Sequence, residues 1–412
     1  MKIVYLTWGE TPRSYGVYNS QVIGQFVETK KIMPEAEFFF IAGLPIIHSG
    51  LVREKRRYKE ELKKIKFRLT NIPFQVIPIF APQNFVNSSK STFSFMHIIS
   101  NLMLKKRFRD IQPDVVHCRS YHAAFAAVQV REKYKFNYKI VFDGRGLYPE
   151  EVALKKGYSD SNSNYLFLKQ IENKLLSECD VSVAVSDTMK EHYLSLKAKK
   201  AVCVYLSSST VRLRGGREHI VREGDKINYG YVGALSDDTW HKPQELLDLY
   251  MKLRVFGKSK LIIVTTSNHE AIRKCFANIP DDEIYITSTK TDEELKNILQ
   301  TFDFGLMSYF KPQSKREILL GNMVLAVKIV EYLAAGLPVI VNRYCGGAAS
   351  IVEKYNLGIV YDPETFQEIN SKNITGFVND YKFFERSDLA KELFDYEVNA
   401  EKYKRIYKTI VE

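Results

Sequence analysis

Lys328-Ile329-Val330-Glu331-Tyr332-Leu333-Ala334-Ala335-Gly336-Leu337-Pro338-Val339-Ile340 reads as a short helix, a stop and a strand. Gly336 closes a run of apolar and small residues, and Pro338 leads directly into an apolar strand. The same rhythm extends on both sides of this stretch. Strands are expected at 227–232, 261–265, 283–287, 304–309, 338–341 and 358–361. Thr291-Asp292-Glu293-Glu294 forms a capping box at the start of one intervening helix. The first half repeats the pattern, with strands at 3–8, 37–43, 74–80, 114–118, 139–143, 181–186 and 201–206. Helices are expected at 18–30, 93–109 and 164–178. Runs of β-branched and aromatic residues without strict alternation mark parallel strands covered on both faces.

Between the two series lie Ser207-Ser208-Ser209-Thr210 and Gly215-Gly216, the polar, glycine-bearing chemistry of a linker, placed at 207–225. The expected fold class is α/β: two Rossmann-like, doubly wound parallel-sheet domains facing across a cleft. The domains are expected at 1–212 and 213–385, with 386–412 a terminal helix packing at their junction.

The chain has 412 residues, 45% hydrophobic and 26% charged, as in a soluble enzyme. No apolar run approaches the roughly 18 residues of a membrane span. Met1-Lys2-Ile3-Val4-Tyr5-Leu6 reads as a core strand rather than a leader. A cytoplasmic protein follows, with attachment to the inner face of the membrane as an option. The five cysteines form no CxxC pair, which argues against zinc and a disulfide framework. A net charge of +12 favours anionic partners.

Open parallel sheets bind ligands beyond the carboxyl ends of their strands. After the first strand, Gly9-Glu10-Thr11-Pro12-Arg13-Ser14-Tyr15-Gly16 lacks the GxGxxG fingerprint, which disfavours a dehydrogenase. Gly16 still allows close approach by a ligand. Asp114-Val115-Val116-His117-Cys118-Arg119-Ser120-Tyr121-His122 turns polar at a strand end, bringing forward His117, Arg119 and His122. In Phe142-Asp143-Gly144-Arg145-Gly146, an acid and an arginine alternate with glycines, and Arg145 suits an anion or an internal pair with Asp143. Tyr231-Val232-Gly233 ends a strand in a glycine turn, and Lys242 follows; amides plus a lysine suit a diphosphate. Lys328 and Glu331 share a helix face, so Glu331 could accept ribose hydroxyls while Lys328 faces phosphate. Asn322 is expected to cap that helix.

These segments resemble glycosyltransferase family 4. Lys328–Ile340 is similar to a donor-binding "KxxEYLAxGxPVI" helix. Residues 114–121 resemble the acceptor-side strand end, and 142–151 the "FDxRGxxxxE" of one bacterial branch. Residues 181–189 resemble a strand entering a serine-capped helix, and 231–233 the opening of the nucleotide domain. The resemblance implies the GT-B fold and transfer, with retention, of a sugar from a nucleotide sugar to a glycan or lipid-linked acceptor in bacterial surface polysaccharide or glycoconjugate synthesis. By position, Glu331 would bind the ribose, Gly233 would approach the nucleotide, Gly16 would lie under the phosphates, and His117 or Arg119 would contact the transferred sugar. Two departures stand out. Met323 occupies the place of a second glutamate, and Ala234 that of an arginine; Lys328, Lys242 or Arg145 could replace the missing cation. No nucleophile is assigned, and nothing in the sequence requires a metal or other cofactor. The alternatives are a non-catalytic GT-B binding subunit and a nucleotide-sugar epimerase.

Leu51, Tyr58, Leu62, Ile65, Leu69 and Ile72 form a helical stripe flanked by lysines and arginines. A helix over 51–72 could lie on an anionic membrane or turn its stripe to the core. Nucleic acid is not expected, because aromatics do not interleave with this basic helix.

Overall fold

The computed structural model describes residues 1–14, 16–46, 55–79, 90–214, 226–380 and 382–412. The chain forms two compact units. One comprises Met1–Ser207 with Tyr396–Glu412, and the other Ser208–Asp395.

The first unit is built on a seven-stranded parallel sheet. Its strands are β1 Lys2–Trp8, β2 Glu37–Pro45, β3 Phe74–Ile79, β4 Val115–Arg119, β5 Lys139–Asp143, β6 Val181–Ala184 and β7 Ala201–Cys203. Their order is β3-β2-β1-β4-β5-β6-β7. Ile3 lies between Phe38 of β2 and Val115 of β4. All five residues of β4 are buried, as expected of a strand covered on both faces. The strands all run parallel, and the direction in which they are added to the sheet reverses between β1 and β4. This is the switch point where a crevice opens beyond the strand ends.

The second unit carries a six-stranded parallel sheet of β8 Ile227–Val232, β9 Ser259–Val264, β10 Ile284–Thr287, β11 Phe304–Met307, β12 Val339–Asn342 and β13 Gly358–Tyr361. The order β10-β9-β8-β11-β12-β13 puts its switch point between β8 and β11. Both units are therefore doubly wound, and each encloses its own apolar core.

Local signals explain several boundaries. Gly336 has φ +78°, and a side chain there would meet the Phe383 carbonyl oxygen at 2.7 Å, so the helix Lys328–Ala334 stops at glycine. Thr291 and Glu294 close the expected capping box. Ser186 caps Asp187–Ser195 by accepting from the Met189 amide.

Other expectations are corrected. Asn322 lies inside the helix Lys315–Met323, which Ser314 caps; the helix after it, Lys328–Ala334, has Val327 at its cap position and no side-chain cap. Residues 18–30 begin as a π-helical turn, Tyr18–Gly24, before the α-helix Gln25–Lys31. The terminal helix is two helices. Phe383–Phe394 belongs to the second unit, and Tyr396–Val411 returns to the first, where Tyr403 and Tyr407 enter the core.

The basic helix spans Lys55–Arg68; Leu51, Arg53 and the glycine pair 215–216 lie outside the described residues. Ile65 and Leu69 are fully buried in the first unit's core, while Lys59, Lys63, Lys64, Lys66 and Arg68 are exposed. The apolar stripe is thus used internally, and Phe67, 81% exposed, stands out on the basic side. Among the described residues no helix is long and apolar enough to cross a membrane.

Candidate functional site

Each unit gathers charged side chains at the carboxyl ends of its strands, in different ways. In the first unit, His117, Asp143 and Arg145 join one network. The Arg145 guanidinium donates to Asp143 Oδ2 from Nε at 2.9 Å and lies 2.8 Å from it through Nη2. It also donates to the Tyr403 hydroxyl at 3.1 Å. His117 Nδ1 lies 2.6 Å from the Tyr407 hydroxyl, and its Nε2 3.4 Å from Asp143 Oδ2. Both His117 and Asp143 are sealed from solvent. Burial alone would raise the Asp143 carboxyl, but Arg145, His117 and Arg119 outweigh it and hold it at about 2. Burial would likewise lower Arg145, and Asp143 reverses that. Burial pushes His117 down, against the pull of Asp143, which favours the neutral ring.

Arg119 ends β4 at 5% exposure, its Nε 3.7 Å from Glu10. His122 lies in the following helix, its Nε2 3.1 Å from the Tyr148 hydroxyl. Beside this network is a cavity of about 310 Å³, lined in part by Trp8, Glu10, Ser120, Arg145, Tyr148 and Glu151. Trp8 Nε1, Ser120 Oγ and Arg145 Nη1 have no hydrogen-bond partner among the described residues. Unmet donors in a cavity at a switch point are positioned for a ligand. Burial raises the Glu151 carboxyl. Gly16 has φ +63° with open space where a side chain would be.

In the second unit, Tyr332 anchors the helix Lys328–Ala334. Its hydroxyl accepts from the Val232 amide at 2.9 Å and donates to the Leu306 carbonyl at 3.1 Å. Its ring covers Gly305 of β11, where a side chain would approach within 2.3 Å. This fixes the helix against β8 and β11 and aims Lys328 at the end of β8. Lys328 Nζ donates to the Tyr231 hydroxyl at 3.0 Å and lies 4.5 Å from that ring's centre. Gly233, at φ +119°, could take no side chain without meeting Lys328 Nζ at 2.5 Å. Burial lowers Lys328 to about 8, against Glu331 and Cys345. Burial raises Glu331, against Arg212 and Lys328. The Glu331 side chain is 17% exposed, and Arg212 Nη2 lies 3.7 Å from it. Lys242 is exposed at the start of the helix Pro243–Leu253. Among the described residues no group of three or more His, Cys, Asp or Glu could hold a metal ion.

The sequence reading missed Arg212, Trp8, Ser120 and Glu151. Glu151 is the closing glutamate of the FDxRGxxxxE stretch, and that position was its signal. Arg212 left none, because only the fold brings it to Glu331.

The two switch-point sites and paired doubly wound sheets define a GT-B protein. HepE of Anabaena in complex with UDP is 13% identical, with a TM-score of 0.66 over 99% of this chain and 100% of that one. The apo lipopolysaccharide outer core galactosyltransferase WaaB is 14% identical, with TM-score 0.66 and the same coverage. A putative UDP-N-acetylglucosamine 2-epimerase from Listeria monocytogenes also matches, at 12% identity and TM-score 0.56 over 100% of this chain and 96% of that one. The fold therefore does not choose the reaction. No curated protein matches the chain by sequence. Residues 64–206 match the family model Glycosyltransferase Family 4, and residues 266–382 match Glucosyltransferase 3-like, C-terminal domain. The chain thus carries a glycosyltransferase family 4 domain and a Glucosyltransferase 3-like carboxy-terminal domain, and it is a glycosyltransferase that transfers sugar from a nucleotide sugar.

Proposed function

We propose that the second unit holds the nucleotide sugar through Lys328, Gly233 and Glu331, and that the first presents a glycan or lipid-linked acceptor from the cavity beside Arg145. The observation that carries this reading is Lys328. A buried ammonium aimed at a bare glycine turn, with no carboxylate within ion-pair distance among the described residues, is completed by a diphosphate. Glu331, on the same helix, takes the ribose hydroxyls. In the first unit His117 and Asp143 are enclosed, so they position Arg145. Arg145 and Arg119, each with an Nη1 that has no hydrogen-bond partner among the described residues, face the anionic leaving group or the acceptor. Retention of configuration is carried by the family resemblance.

The exposed basic face around Phe67 supports docking on an anionic membrane, the surface on which a lipid-linked acceptor of a bacterial glycoconjugate would be met.

The test is a thermal-shift series with UDP, GDP and dTDP and their glucose or mannose esters. At least one pair raises the melting temperature of the wild type, and Glu331→Ala shrinks the rise. No shift with any nucleotide, or a shift of the same size in Glu331→Ala, overturns the assignment.

A further inference from the structure

Against Tyr231, the ring that Lys328 meets, lies a group of rings that neither donor contact uses. Trp240 stacks on Tyr309 with ring centres 5.9 Å apart and planes at 15°, and it meets Phe310 at 5.0 Å. His241 lies 5.3 Å from Tyr309 and 5.8 Å from Tyr231, the ring that carries the Lys328 ammonium. Trp240 and His241 come from the loop after β8, and Tyr309 and Phe310 from the loop after β11. The rings therefore stand at the switch point of this sheet. Trp240 keeps 37% of its surface exposed, whereas Tyr309 and Phe310 are buried beneath it. His241 is 7% exposed, and its Nδ1 has no hydrogen-bond partner among the described residues.

The side chains follow an order. Arg212 pairs with Glu331, Glu331 shares a helix face with Lys328, Lys328 meets Tyr231, and Tyr231 meets His241 and the rings. A nucleotide sugar has the same order: ribose, diphosphate, sugar. A pyranose also presents a face of C–H bonds that packs on an aromatic plane, with hydroxyls at its rim that need polar partners.

We propose that Trp240, supported by Tyr309 and Phe310, is the platform on which the transferred sugar of the donor lies, with His241 Nδ1 bonding one of its hydroxyls. This rests on the reading that Lys328 holds the diphosphate. It gives sugar recognition to aromatic residues of the second unit.

Calorimetry on the full chain separates the two claims. UDP and UDP-glucose, and GDP and GDP-mannose, are titrated into wild type, Trp240→Ala, Trp240→Phe and Lys328→Ala. Trp240→Ala weakens the sugar ester about ten-fold while the free diphosphate changes less than about two-fold, and Trp240→Phe restores most of the loss. Lys328→Ala weakens both ligands. Equal losses of ester and diphosphate in Trp240→Ala, or no loss of either, overturn the platform while the diphosphate site stands. If Lys328→Ala leaves both affinities unchanged, or the wild type binds none of the four, the diphosphate reading falls and takes the platform with it.

Discussion

The two units bury cations in opposite ways. Arg145 is enclosed with its counter-charge, Asp143, and the pair drives both groups deeper into their charged forms. Lys328 is enclosed without a carboxylate at ion-pair distance among the described residues, and burial moves Lys328 and Glu331 toward neutrality. A buried charge that is paired holds structure together. One left unpaired awaits a partner from outside the chain. The first unit uses the Arg145 charge for internal order and leaves unmet donors at the cavity wall; the second keeps the Lys328 charge in reserve.

Substitutions break or sharpen that contrast. Arg145→Ala strands the Asp143 carboxylate in the core and is expected to destabilise the first unit by about 3–5 kcal/mol, read by denaturant unfolding. A loss under about 1 kcal/mol would mean the pair is not structural. Glu331→Ala is expected to weaken nucleotide binding about ten- to hundred-fold by calorimetry, with stability nearly unchanged. Lys328→Met is expected to go the opposite way from Arg145→Ala. The free protein gains on the order of 1 kcal/mol as a desolvated charge leaves, while nucleotide affinity falls. Destabilisation of the free protein by Lys328→Met would erase the contrast. The surface effect is smallest per site: neutralising Lys66 alone is expected to lower binding to anionic vesicles at low salt by at most about 1 kcal/mol and to leave neutral vesicles unaffected.

Much of the fold was legible because its signals are local. Gly336 and Pro338 marked a stop and an entry, Thr291 and Glu294 a start, and the apolar runs the strands of both sheets. Boundaries failed where local chemistry was ambiguous. Asn322 has a capping side chain but sits within a helix, and the break at Asp395 is hidden in a continuous helical pattern. The sites were legible as residue types rather than as roles. Asp143 and Arg145 are two residues apart, and their pairing was among the readings. His117 owes its enclosure to Tyr407, 290 residues away, and Lys328 its partner to Tyr231, 97 residues away. Such contacts exist only after the sheets are wound, so a strand-end histidine that looked available proved to be sealed.

The pH dependence of Lys328 follows from its position. In the free protein it loses its proton near pH 8, below its ordinary 10.5, so stability rises between those values as the unfolded chain binds the extra proton. A bound diphosphate favours the charged form. Affinity is therefore level below pH 8 and falls as pH rises through it.

The most direct measurement is proton uptake on binding a nucleotide sugar, whose diphosphate diester has no titration of its own near this pH. Calorimetry at about pH 8.5 in buffers of different ionisation enthalpy is expected to show the wild type taking up a fraction of a proton, with none taken up by Lys328→Met. Binding with no uptake, or the same uptake in both proteins, would contradict the claim that an unpaired buried lysine is the donor's anchor.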